Sequence, residues 1–190
     1  TLFLLVAFIG WVVTRFSTTY LDGDARQGAF VGRLALTLAA VMLLVTAGNL
    51  WQLVGAWIAT SLALHRLLVF YPDRRVAVTA ARKKAITARL GDACLVAAAI
   101  LLARAYGTTD IAALLAAAEP GGAALPAVLI AVAALLKSAQ FPTHGWLTEV
   151  MDTPTPVSAL LHAGIVNAGG FLVIRFRSEE HTSELQSHAP

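Results

Sequence analysis

The amino-acid sequence predicts an all-α protein: a polytopic bundle of about six transmembrane helices, one of them broken near Lys137 and Pro142. Three observations lead there. Of the 190 residues, 58% are hydrophobic and only 13% charged, with a mean hydropathy of +0.73, which sets the chain apart from soluble domains. Apolar runs recur at lengths approaching the roughly 20 residues that cross a bilayer, and lipid leaves the backbone of an open chain no fold but the helix. One such run, Leu125 to Leu136, ends on Lys137, and Pro142 follows five residues later. Proline has no amide hydrogen and its ring crowds the carbonyl of Ser138, so the helix is expected to kink or stop just past the lysine.

The expected spans cover residues 1–15, 31–50, 51–70, 88–105, 123–141 and 156–176. The first opens inside an apolar run, at Thr1-Leu-Phe-Leu-Leu, with no initiator methionine, so the sequence reads as a fragment. Gly48-Asn49-Leu50 makes a tight hairpin between the second and third. Trp11, Trp51, Trp57 and Tyr71 suit interfacial or interhelical positions. Cys94, the single cysteine, lies in the fourth span as a small buried hydrophobe. Pro120-Gly121-Gly122 marks the loop before the fifth. Ala97, Ala98, Ala99, Ala163, Gly164, Ala168 and Gly169 permit close helix packing. The sixth span begins at Pro154-Thr-Pro156, with Pro156 suited to a first turn. Residues 1–176 therefore form one transmembrane domain. Residues 177–190 change character abruptly and read as translated sequencing-adapter sequence, so their histidines and glutamates are not taken as a metal site.

The net charge of +3 does not signal nucleic-acid binding, because the cations gather beside the spans. Arg74, Arg75, Arg82, Lys83, Lys84 and Arg89 crowd the segment after the third span, read as a loop. Arg15, Arg26 and Arg33 fall on the same side. The positive-inside rule places that side in the cytoplasm, with residue 1 beginning outside.

Lys137 is the leading functional candidate. A cation at the centre of a membrane helix costs about 2.5–3.5 kcal/mol on insertion scales, so a chain rarely carries one without use for it. An ionisable group beside a broken membrane helix is the usual build of an ion-coupled transport site, and a lysine there can give up and regain a proton. The bland alternative is a lysine snorkelling to the interface. His162, two turns into the sixth span with Ser158 one turn earlier on the same face, can pass protons near neutral pH or simply pack. Glu149 and Asp152 lie on an amphipathic stretch and either line a cytoplasmic mouth or sit solvated. Asp92, in Arg89-Leu-Gly-Asp92, caps the fourth span or pairs with Arg89. His65 and Arg66 read as interfacial anchors. No zinc spacing, phosphate loop or nucleophile elbow occurs, so the expectation is a transport subunit with no catalytic residue and no cofactor of its own, not an enzyme.

Leu136-Lys-Ser-Ala-Gln-Phe-Pro-Thr-His-Gly-Trp-Leu147 and Met151-Asp-Thr-Pro-Thr-Pro-Val-Ser-Ala-Leu-Leu-His162, with Arg89-Leu-Gly-Asp92, resemble the antiporter-like membrane subunits of respiratory complex I (the L type) and of Mrp cation/proton antiporters. The resemblance covers residues 1–176. It implies inverted five-helix repeats, each with a broken helix and a buried lysine. Carried over, Lys137 is that lysine and His162 the histidine beside the proton path. Ser61-Leu-Ala-Leu-His-Arg-Leu-Leu-Val-Phe-Tyr-Pro-Asp-Arg74, Ala81-Arg-Lys-Lys84 and Asn167-Ala-Gly-Gly170 are similar to the inorganic-carbon accumulation branch. That branch implies a bacterial inner-membrane, multi-pass subunit that conducts H+ or Na+. It also implies a partner, a soluble zinc β-carbonic-anhydrase-like subunit of the DabA type, which would hold the zinc.

Overall fold

Eight helices make up the described part of the chain: α1 (Leu2–Tyr20), α2 (Gln27–Val45), α3 (Leu50–Leu68), α4 (Arg75–Tyr106), α5 (Ile111–Ala117), α6 (Ala124–Lys137), α7 (Thr155–Leu160) and α8 (Ala168–Arg177). The computed structural model describes residues 2–71, 75–117, 123–140, 145, 154–161 and 166–177. Helices α1 to α4 pack in sequence order, each on the next. Helix α6 lies against α4 and α8, and α7 touches α1.

The first helices follow from uninterrupted apolar sequence. Leu4, Phe8 and Trp11 of α1 stay 61–70% exposed, and large apolar side chains of α2, α4 and α6, among them Leu36, Ile86 and Leu125, are exposed as well. Side chains this apolar face outward when the surroundings are lipid rather than water. By length and composition α1, α2 and Val78–Tyr106 of α4 suffice to cross a membrane. Helix α3 has the same 19 residues as α1 and α2 but carries Gln52, His65 and Arg66. At 14 residues α6 is about 21 Å long, short of the roughly 30 Å hydrocarbon core. The sixth expected span is divided between α7 and α8.

Turn chemistry sets the joints. After α1 the chain reverses through Gly23, whose φ of +84° is open to glycine without the side-chain clash. Asp24 follows, accepting the Arg26 amide at 2.8 Å and the Tyr71 hydroxyl at 2.8 Å. Those two bonds, the Arg26 amide first, hold its carboxyl below the usual value. Asn49 caps α3 by accepting the Trp51 amide at 2.8 Å. The Leu50 amide donates to the Thr109 carbonyl and the Ile111 amide to the Gly48 carbonyl, tying the segment before α3 to the one after α4.

The expected basic loop is largely helix. Arg75 to Arg89 belong to α4, which runs 32 residues, about 48 Å. The reason is local: alanines recur among the cations, Lys and Arg are good helix formers, and neither proline nor glycine interrupts the segment before Gly91. Arg82, Lys83 and Arg89 are exposed, whereas Lys84 is buried on the same stripe as Ala80, Ala81 and Ala88. Asp92 accordingly lies in mid-helix, pairing with Arg89 rather than capping a start.

Candidate functional site

Helix α6 stops at Lys137 through its own backbone, ahead of Pro142. Ser138 closes the helix, Ala139 turns into the left-handed region with φ +51°, and the Gln140 amide reaches back to the Leu135 carbonyl at 3.2 Å. That is a Schellman closure, which ordinarily uses glycine at the left-handed position. Ala139 accepts about 1–2 kcal/mol of strain there instead. The final carbonyls leave partial negative charge at the helix end, which favours a cation in the last turn, and Lys137 provides it.

The ammonium of Lys137 is caged. Its Nζ donates to the Trp57 carbonyl at 2.9 Å, Thr60 Oγ1 at 2.9 Å and Ser61 Oγ at 2.7 Å, and it sits 4.3 Å from the Trp57 ring centroid. All of these come from one turn of α3, where residues three and four apart share a face. Lys137 is 8% exposed and Trp57 1%. The three ammonium protons thus meet three oxygens, with an aromatic face beside them.

A second lysine reaches the same turn. Lys84 Nζ donates to the Ser61 carbonyl oxygen at 2.8 Å, so one serine bridges two buried ammonium groups. Asp92 is the buried carboxylate acting on both lysines. Arg89 Nη1 approaches Asp92 Oδ2 at 3.4 Å from a half-exposed position. The buried Asp92 carboxylate and the buried Trp57 indole nitrogen interact with each other, though short of good hydrogen-bond geometry.

Of the residues expected from sequence to carry ions, Lys137 is therefore buried and polar-caged rather than snorkelling. Ser158 lies half-buried on α7 and is not one of the Lys137 acceptors. His162, Glu149, Asp152 and Pro142 lie outside the described residues. Cys94 is half-buried with a free thiol. Sequence reading passed over Thr60 and Ser61, which complete the cage, and Lys84, which shares Ser61 with it. Two signals pointed to them. Trp57, Thr60 and Ser61 fall on one helical face within an apolar span, and Lys84 keeps helical register with Ala80 and Ala88.

Residues 47–188 match the sequence profile of the family described as NADH:quinone oxidoreductase/Mrp antiporter, transmembrane. The chain belongs to that family. The resemblance drawn from the lysine and histidine motifs is thus established at family level. Among its relatives is the probable inorganic carbon transporter subunit DabB2 of Halothiobacillus neapolitanus, 47% identical over 95% of this chain and 33% of the relative. The probable inorganic carbon transporter subunit DabB of Hydrogenovibrio crunogenus is 45% identical over 90% of this chain and 34% of the relative. NADH-ubiquinone oxidoreductase chain 5 of Papio hamadryas is 37% identical over 90% and 28%. Among solved structures, the Mrp complex of Dietzia sp. superposes with a TM-score of 0.84 at 37% identity, covering 92% of this chain and 20% of that one. The chain spans about a third of the length of the DabB relatives. A membrane-embedded helical bundle of the antiporter type is the common ground of sequence and fold.

Proposed function

We propose that this chain is part of the membrane subunit of an energy-coupled inorganic carbon (CO2/bicarbonate) accumulation complex, conducting H+ or Na+ across the bacterial inner membrane. The observation that carries this reading is the caged ammonium of Lys137 at the end of a helix too short to span. A buried lysine in such a place has a charged form held by oxygens and a neutral form reached by losing one proton, which is the elementary step of a relay. The likeness to two DabB proteins supports carbon as the cargo of the complex. In this reading Lys137 is the titrating carrier and His162 a relay, with Ser158 and Glu149 as further candidates along the path. Pro142, which cannot donate an amide hydrogen, disfavours any return to helix just beyond the closure of α6. Hydration of CO2 belongs to a soluble zinc β-carbonic-anhydrase-like partner of the DabA type, and this chain supplies the ion flow.

The test is growth. In a carbonic-anhydrase-deficient bacterial host under ambient air, the full-length protein with its partner is expected to restore growth. Lys137→Ala is expected to abolish the rescue at equal membrane abundance. Full growth of that variant refutes the assigned role.

The 37% identity to an NADH-ubiquinone oxidoreductase chain 5 favours a second reading, a proton-translocating arm of a quinone oxidoreductase. Co-purification separates the two. A zinc-containing soluble subunit supports carbon accumulation, and flavin and iron–sulfur subunits support the alternative.

A further inference from the structure

We infer that Lys84 is a second proton carrier of the ion path, coupled to Lys137 through Ser61. The inference rests on the reading of Lys137 as a carrier and adds a residue and an access side to it.

Burial comes first. Lys84 is 4% exposed, deeper than Lys137 at 8%, although its neighbours Arg82 and Lys83 face outward. Surface cations that set orientation have no need to be inside, so Lys84 has a different task from the rest of the basic cluster. Its hydrogen bonding comes second. Lys137 has an oxygen for each of its three protons, whereas Lys84 has the Ser61 carbonyl as its one acceptor among the described residues. A buried ammonium with unmatched protons is poorly held, and its neutral amine is left with little to lose. The shared residue is the third point. Ser61 offers its carbonyl to one lysine and its hydroxyl to the other, so the two charges stand on either side of a single residue and repel.

The charged groups around Lys84 complete the picture. Helix α4 contributes Asp92 and Arg89, α6 contributes Lys137, and α3 contributes His65, one turn beyond Ser61. Two buried ammonium groups therefore share one buried carboxylate, itself in contact with the Arg89 guanidinium. A single negative charge does not neutralise both. His65 Nδ1 is buried without a hydrogen-bond partner among the described residues, and the histidine interacts with Lys84. It lies between Ser61 and the exposed Arg66 at the basic end of α3. The histidine, which also bonds to the Ala81 backbone, thus marks the basic end of α3 as the side from which Lys84 takes its proton in this inference.

The step conserves charge. A proton from the basic face converts the Lys84 amine to ammonium, and the Lys137 ammonium releases one proton from its cage, leaving an amine. The Lys84 ammonium then gives its proton to the Lys137 amine across Ser61, which restores the Lys84 amine and the caged ammonium for the next cycle. No other bond forms or breaks.

The experiment follows proton flux into vesicles holding the intact protein with its partner subunits, from acid to alkaline pH. Lys84→Met and Lys84→Arg are both expected to lower flux, on the order of a hundredfold, the usual worth of a positioned proton-transfer group. Arginine keeps the charge but does not release its proton, so it replaces a structural cation and not a carrier. Wild-type flux with an unchanged pH profile in Lys84→Arg overturns the inference. Should the Lys84 variants fail to accumulate in the membrane, His65→Gln decides instead. It leaves every acceptor of Lys137 in place and removes the titratable group beside Lys84, so a displaced pH profile is expected at normal abundance, and an unmoved profile overturns the inference. Lys137→Gln in the same assay separates the two ideas. If it stays active, the carrier role of Lys137 fails; if it is inactive while Lys84→Arg is active, the inference alone fails.

Discussion

Lys137 shows how a charge is kept inside a membrane protein. Hydrogen bonds to a charged group are worth about 1.5–3 kcal/mol each, so three of them exceed the roughly 2.5–3.5 kcal/mol insertion penalty of the cation. The Trp57 face adds to that side. Thr60→Val removes one acceptor while keeping the branched shape of the side chain. It is expected to destabilise the purified protein by about 1.5–3 kcal/mol, read as a lower thermal midpoint in detergent, while Thr60→Ser stays near wild type. An unaffected midpoint in Thr60→Val removes the energetic meaning of the cage. Asp24 provides a pH-dependent contact outside the spans. Its carboxyl is held low, so the stability it gives is present above the ordinary carboxylate range and lost as pH falls through its depressed value. Asp24→Asn is expected to speed backbone hydrogen exchange in residues 21–26 relative to wild type at the same neutral pH, and equal exchange in the two proteins contradicts the contact. At this scale the sequence exposed Lys137 plainly, because a lysine in an apolar run is rare. It hid Lys84, because a lysine among other cations looks like solvated surface until helical register is followed through Ala80 and Ala88.

The decisive element is the end of α6. Its closure by Ala139 at φ +51° puts strain beside the lysine, and helix α8 packs hard against the same point. A Cβ on Gly169 would overlap the Ala134 carbonyl oxygen and Ser138 Oγ, the first of which is backbone and does not move aside. Gly169→Ala is expected to cost about 1–3 kcal/mol or to prevent folding, while Gly170→Ala, with open space around it, serves as the neutral control. Equal thermal midpoints for the two would show that α8 does not approach α6 this closely. Ala139→Gly tests the strain. Relief of about 1–2 kcal/mol is set against about 0.8 kcal/mol for a lost buried methyl, so the variant is expected to be neutral or slightly stabilised. A clear loss of stability would contradict the conformation. Helix α6 ends just past the lysine, as expected, at Ser138, where the Gln140 amide takes up the Leu135 carbonyl, while Pro142 lies outside the described residues. The length of α4 was not legible. Charge density suggested a loop, but Ala, Lys and Arg all favour helix, and α4 continues where hydropathy alone would end it.

Across the whole molecule, α3 is the spine of the site. Helices α4 and α6 bring their lysines to it, α2 backs it, and α8 braces the open end of α6. The all-α bundle, the broken fifth span and the family were legible because bilayer length, proline placement and the lysine and histidine motifs are each set by local sequence. The meeting of Lys84, Ser61 and Lys137 was not, since it depends on how three helices pack, and no single segment records that. The most direct measurement is ion flux into vesicles containing the intact protein, comparing wild type with Lys137→Gln at matched abundance. Flux at the level of empty vesicles is the predicted result, and flux equal to wild type would contradict a path that runs through the caged lysine.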